Sequence, residues 1–203
     1  MSEVRVDQGL DQVVSWTIRE PMRRSSHALA AGGLVWLVDP VADDTALAAA
    51  EGLGEIAGVL QLLDRHPRDC EELAERYEVP LLRLPEAVED APFTSFSILS
   101  LPKWREVGLW WEAESLLLVP EALGTGSYFA VGEGPVGVHP MLRALPPAKA
   151  FRPYAPERLL CGHGPALHSG AAAAISEALE RSRRDAPQMV AGMARDLVRG
   201  LRR

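Results

Sequence analysis

Ionisable side chains crowd into Asp64-Arg65-His66-Pro67-Arg68-Asp69-Cys70, directly after an apolar run from Ile56 to Leu63 broken only by Gly58 and Gln61. Imidazole, carboxylate and thiol are the groups that hold metal ions or move protons near neutral pH. The apolar run reads as a buried strand. The residues that follow, Glu71 to Tyr77, read as a helix with acidic groups in its first turn, where the helix dipole favours them. A strand that hands such groups to a helix start is where α/β proteins place their chemistry. A second strand end of this kind is Leu159-Leu160-Cys161-Gly162-His163-Gly164-Pro165, ahead of an alanine-rich helix.

These two segments resemble the metallo-β-lactamase superfamily, the metal-dependent hydrolases that include the glyoxalase II type. That family carries HxHxDH at the first corner and GHGP at the late strand end, which Gly162-His163-Gly164-Pro165 matches. Laid on the first motif, Asp64 and His66 take the places of its first two histidines, Arg68 that of its aspartate, and Asp69 that of its last histidine. Between the motifs the family has a PGHT histidine and a GDxL aspartate. Here those places fall on Lys103, within Leu101-Pro102-Lys103-Trp104, and on Glu121. Asp39, at a strand end, matches a family aspartate that supports the site without binding metal.

The resemblance implies an αββα sandwich of two mixed β-sheets flanked by helices, in a single domain spanning 1–203. If a metal binds, its ligands are His66, Asp69 and His163, the ion is zinc, iron or manganese, and Asp64 or Glu121 activates water. Two cations weigh against an ion: Arg68 stands at a ligand carboxylate's place and Lys103 near a ligand histidine's place. The expectation is therefore a degenerate, metal-free site without a cofactor, in which Arg68 pairs with Asp64, Asp69 or Glu121. Its pocket is lined by Arg68, Lys103, Trp104 and Cys161 and takes a small anionic molecule. The main alternative is a single-metal hydrolase of thioesters, esters or lactones. Another is a metal-independent site using Cys161 with His163.

Composition sets the frame. The 203 residues are 47% hydrophobic and 24% charged, enough for one well-buried core. A net charge of −7 argues against nucleic acid or an anionic membrane as partner. No apolar run reaches transmembrane length, and the start, Met1 to Val6, lacks a signal peptide's apolar core, so a cytoplasmic location is expected. The two cysteines, Cys70 and Cys161, form no CxxC site. Each adjoins one of the two motifs, which places both near one pocket.

Other elements follow from local pattern. Gly32-Gly33 reads as a hairpin turn before the buried strand Leu34 to Val38, and Asp43-Asp44-Thr45 can cap a helix over Ala46 to Gly52. Val79 to Pro85, Phe93 to Leu101, Val107 to Glu112 and Ser115 to Val119 read as strands. Gly124 to Val138 is a glycine-rich loop with a short strand at Tyr128 to Val131. It has the wrong context for a phosphate-cradling turn. His139 to Leu145 reads as a short helix, and Ser169 caps a helix to Arg184. Pro187 starts a separate C-terminal amphipathic helix, 187–203, with Met189, Val190, Met193, Leu197 and Leu201 on one face. Phe96, Leu109 and Trp111 serve as dimer contacts or as core.

Overall fold

The computed structural model describes residues 4–200, with side chains through residue 185. The readings of Met1 to Glu3 and of the apolar face of 187–203 lie outside the described side chains. Two sheets carry the fold. The first has β1 (Val4–Leu10), β2 (Val13–Ile18), β3 (Ser25–Ala31), β4 (Leu34–Val38), β5 (Glu55–Gln61) and β6 (Leu81–Arg83), paired in chain order. Pairing is antiparallel up to β4, then parallel across β4, β5 and β6. Parallel pairing requires crossovers, and α1 (Asp44–Glu51) and α2 (Cys70–Tyr77) supply them.

The second sheet comprises β7 (Thr94–Leu101), β8 (Trp104–Trp111), β9 (Leu116–Val119) and, parallel to β9, β12 (Arg158–Cys161). A small pair, β10 (Leu123–Gly124) and β11 (Gly137–Val138), follows β9. Here α3 (Ala148–Phe151) and α4 (Ala171–Gly200) cover the outer face.

Burial shows the layers directly. Leu29, Trp36, Leu60 and Leu62 of the first sheet meet Leu109, Trp111, Leu118 and Leu160 of the second. Val35, Leu37 and Val59 pack instead against Ala46, Leu47 and Leu73 of α1 and α2. Leu117, Val119 and Leu159 pack against Phe151 and against Ala174 and Ile175 of α4. Period-two alternation thus splits each strand between two cores, each large side chain contributing about 2 kcal/mol. The expected αββα sandwich is present. Leu109 and Trp111 belong to the core between the sheets, while Phe96 and Trp110 are half-buried beside α3.

Several local readings hold. Gly32 and Gly33 both have positive φ, as a two-residue hairpin turn requires. Asp43 caps α1 by accepting from the Ala46 N–H. Others need correction. Pro187 does not begin a new helix; α4 runs through it as one 30-residue helix. Its start is fixed by Glu157, which accepts from Gly170 N, and not by Ser169. Tyr128 to Val131 is not a strand; the short strands lie on either side of it. β8 begins at Trp104, so Pro102-Lys103 becomes a hairpin turn. Among the described residues no helix is long and apolar enough to cross a membrane.

His27 ties the two sheets. Its Nδ1 meets Ser15 Oγ at 2.8 Å and its Nε2 meets the Cys161 carbonyl at 3.0 Å, so Nε2 carries the proton. Burial pushes its pKa down from 6.5 to about 4. The folded protein therefore refuses a proton that the unfolded chain accepts at 6.5. The neutral ring contributes stability above pH 6.5, and that contribution is lost as pH falls through about 4. A shift of this size is worth roughly 3 kcal/mol. The urea midpoint should fall between pH 6.5 and 4, and His27→Gln should flatten part of that slope. An unchanged slope in the variant would show that His27 does not carry it.

Candidate metal centre

The site forms where strands of both sheets end at one edge. The parallel register pairs Val119 with Cys161, so Glu121 and His163, each two residues further on, emerge side by side. Gly162 is needed there because a Cβ would run into the Pro120 carbonyl. From the other sheet, β5 runs on past Gln61 and crosses to β8, with Val107 N donating to Leu62 O and Asp64 N to Arg105 O. This crossing delivers His66, whose ring centroid lies 5.4 Å from that of His163. Single ligand atoms of His66, Glu121 and His163 all lie within 4.8 Å of one another.

Both imidazoles are fixed from behind. Asp39, held in left-handed backbone at φ 42, accepts from Leu62 N with one oxygen and meets His66 Nδ1 at 3.2 Å with the other. A carboxylate behind a ligand histidine sets its tautomer and aims Nε2 forward. His163 Nδ1 lies 3.0 Å from the Met22 carbonyl, which can only accept, so Nδ1 holds the proton and Nε2 offers a lone pair. That Nε2 is buried and has no hydrogen-bond partner. Phe129 stacks on the ring at 5.2 Å, and burial lowers the His163 pKa to about 3. A neutral imidazole with an unsatisfied, preset lone pair is what a metal ligand requires.

Glu121 is surrounded by donors. Arg65 Nη2 reaches its Oε2 at 2.5 Å, and the guanidinium lies 4.0 Å over the Trp104 ring. His139 accepts from Met141 N through Nδ1, so its Nε2 carries the proton, 3.9 Å from Glu121 Oε1. Burial lowers the His139 pKa to about 4. Beneath lies Glu106, fully buried on β8. One of its oxygens accepts from Glu121 N and Ala122 N, both at 2.8 Å, and the other accepts from Trp104 Nε1 at 3.0 Å. Burial pushes the Glu106 carboxyl up to about 7. This one side chain fixes the backbone of Glu121 and the ring beneath Arg65.

Of the residues expected at the site, His66, His163 and Glu121 converge, and Trp104 lines it. Asp69 stands apart, its carboxylate accepting from Ala42 N. Asp64 accepts from Arg105 N on the other side of the crossing chain. Lys103 is exposed in its hairpin turn, in left-handed backbone at φ 64. The expected pairing of Arg68 with a carboxylate is not what forms. Its guanidinium donates to the carbonyls of Ser25 and Asp39, both at 2.6 Å, and of Gly162 at 3.0 Å.

The cysteines are not neighbours either. Cys70 belongs to the core under α2 and Cys161 to the core under α4. Burial raises both thiols, Cys70 to about 12 and Cys161 further still, which leaves neither as a ready thiolate. Arg65 and Glu106 were not anticipated. The signal for Glu106 was an acidic residue at an inward position of a strand, between Trp104 and Gly108.

Glu106→Ala strands three donors and should cost about 3 kcal/mol or more in urea unfolding. Glu106→Gln keeps an acceptor for the two backbone N–H groups and should cost about half as much. Equal, small losses in both variants would contradict this role.

No family model and no curated protein matches the sequence. Solved structures do. A crystal structure of the DIM-1 metallo-β-lactamase exposed to ceftazidime superposes with a TM-score of 0.62 at 13% identity, over 90% of this chain and 97% of that one. VMB-1 gives 0.63 at 10% identity over 92% and 99%, and TMB-1 gives 0.61 at 9% over 91% and 99%. At these identities the likeness speaks for the architecture, which the sheets, layers and strand-end site already define: the chain has the metallo-β-lactamase fold.

Proposed function

We propose that this protein holds a single divalent ion on His66, Glu121 and His163 and hydrolyses an ester, thioester or lactone. The observation that carries the reading is the buried Nε2 of His163, preset as a lone pair and left without a partner beside His66 and Glu121. Two imidazoles and a carboxylate suit zinc, iron or manganese and leave a coordination position open. A bound ion would supply a polarised water and a Lewis acid for the carbonyl.

The grounds for a metal-free site are weaker than the motifs alone suggest. Lys103 is exposed away from the cluster, and the charge of Arg68 is absorbed by three carbonyls. Arg68 fills the place of the family's ligand carboxylate, which favours one ion over two. Around the three residues that would hold the ion, Asp39 orients His66, Phe129 keeps water from one face of His163, and His139 holds a proton on Nε2 towards Glu121. Arg65 holds Oε2 of Glu121 and would have to yield some of that hold to a bound ion. Its side chain is 39% exposed, and ion pairs with one exposed partner are weak enough to exchange. Displaced, it would offer a cation to an anionic substrate group.

A second reading keeps the Arg65–Glu121 pair permanently and makes the site a metal-free binder. The short 2.5 Å contact favours it. Elemental analysis after growth with added metals separates the two. The first reading expects about one ion per chain, lost in His66→Ala and His163→Ala, with chelator-sensitive turnover in an ester, thioester and lactone panel. Asp39→Asn should weaken the affinity about 10- to 100-fold. Metal-free protein that also fails to take up zinc on titration would install the second reading.

A further inference from the structure

A strand at the end of a sheet leaves half of its backbone hydrogen-bonding groups unpaired, and folded proteins shorten, charge, bend or cover such edges. The two large sheets end in β1, β6, β7 and β12. Three of these are guarded. β6 has only three residues, and β12 exchanges two hydrogen bonds with Leu167 of the loop behind it. β1 carries Arg5 and Asp7 and loses register after Asp7. β7 is the exception: its eight residues, Thr94–Leu101, include no charge and no proline. We propose that the open edge of β7 pairs antiparallel with β7 of a second copy of this chain, giving a two-fold dimer.

The edge is open in its bonding and apolar beside it. Among the described residues the backbone of Thr94–Leu101 bonds only to β8, so the groups facing away from β8 have no protein partner. One bulge interrupts the strand, with Ile98 as the extra residue between Ser97 and Leu99. It turns Ile98 and Leu99 towards the same outer core and leaves Thr94–Ser97 regular. Phe96, Leu99, Trp110 and Tyr154 stay half-buried on that outer face, and Leu101 is 50% exposed at the strand's end. A strand added along this edge would cover part of that apolar surface while pairing the backbone.

Charge at the two ends of the strand selects a second copy as the occupant. The turn ahead of β7 holds Glu89 and Asp90, and the hairpin turn after it holds Lys103. All three are exposed, and none forms an ion pair among the described residues. The edge is therefore acidic at its start and basic at its end. Antiparallel pairing through Thr94–Ser97 of both copies would set Glu89 and Asp90 of each opposite Leu101 to Lys103 of the other. Opposite charges then meet at both ends, whereas a parallel arrangement would bring like charges together. Nothing in this pairing calls on the metal cluster.

The test weighs the full chain by light scattering across a dilution series. A dimer with a dissociation constant of about 1–10 μM is expected, as a small interface allows. Glu89→Lys and Lys103→Glu, both exposed changes, should each weaken it about tenfold, and the double variant should recover the original affinity. Hydrogen exchange should show the outward amides of Thr94–Ser97 slowing as concentration rises, while those of β1 do not change. Four results would each overturn the proposal. One is a chain still monomeric at about a hundred times the expected dissociation constant. Another is a dimer indifferent to the single reversals, and a third is one that the double variant fails to restore. The last is protection of the β7 amides only when an uncharged extended peptide is added, which would assign the edge to a different partner.

Discussion

The Arg68 guanidinium is the interaction on which the site edge depends. It reaches carbonyls of β3, of the turn after β4, and of the loop after β12, segments up to 94 residues away in sequence. Those chains belong to different sheets, and the same three neighbourhoods carry Met22, Asp39 and His163. A buried guanidinium is expensive to desolvate, by several kcal/mol, and only a full set of acceptors offsets it. Once they are assembled, the carbonyls cannot move without stranding the charge. Arg68 thus does by hydrogen bonding what a second metal ion would do by coordination: it holds strand ends of both sheets at fixed separation.

Around that anchor, polar groups are arranged in pairs of support and supported. Asp39 lies behind His66, the Met22 carbonyl behind His163, and Glu106 behind Glu121. Each support engages the side of its partner facing away from the site, or its backbone. The consequence is preorganisation: the side chains of the cluster are aimed by the fold before any ligand arrives. Arg65 is the exception. It is the one site side chain with substantial exposure, and it rests on Glu121 and Trp104 instead of holding them from behind.

Much of this was legible in the sequence. Apolar runs ending in polar knots located β5 and β12, and Gly162-His163-Gly164-Pro165 located the better ligand corner. Glu121 was placed by the family resemblance, as the counterpart of the GDxL aspartate. What the sequence hid was reach and direction. Asp69 looked like a ligand by motif position, yet at the start of α2 its carboxylate turns to Ala42 N. Lys103 looked close to the cluster until β8 proved to begin at Trp104, which puts Lys103 in an exposed turn. Arg68 was expected to find nearby carboxylates, whereas its long side chain passes them for backbone carbonyls that no local pattern reveals. Cys70 and Cys161 adjoin the motifs in sequence but lie in different cores, because Cys70 opens α2 and packs under it on the first sheet, while Cys161 ends β12 and faces α4.

The central claim is that one ion sits between His66, Glu121 and His163 while Arg68 occupies the place of a second. X-ray absorption at the zinc edge, on protein loaded with limiting zinc, reads the ligand set itself. The account predicts two imidazole nitrogens and one carboxylate oxygen at about 2.0–2.2 Å, with no metal–metal scattering. A spectrum without imidazole scattering, or one showing two ions at about 3.5–4 Å from each other, would contradict it.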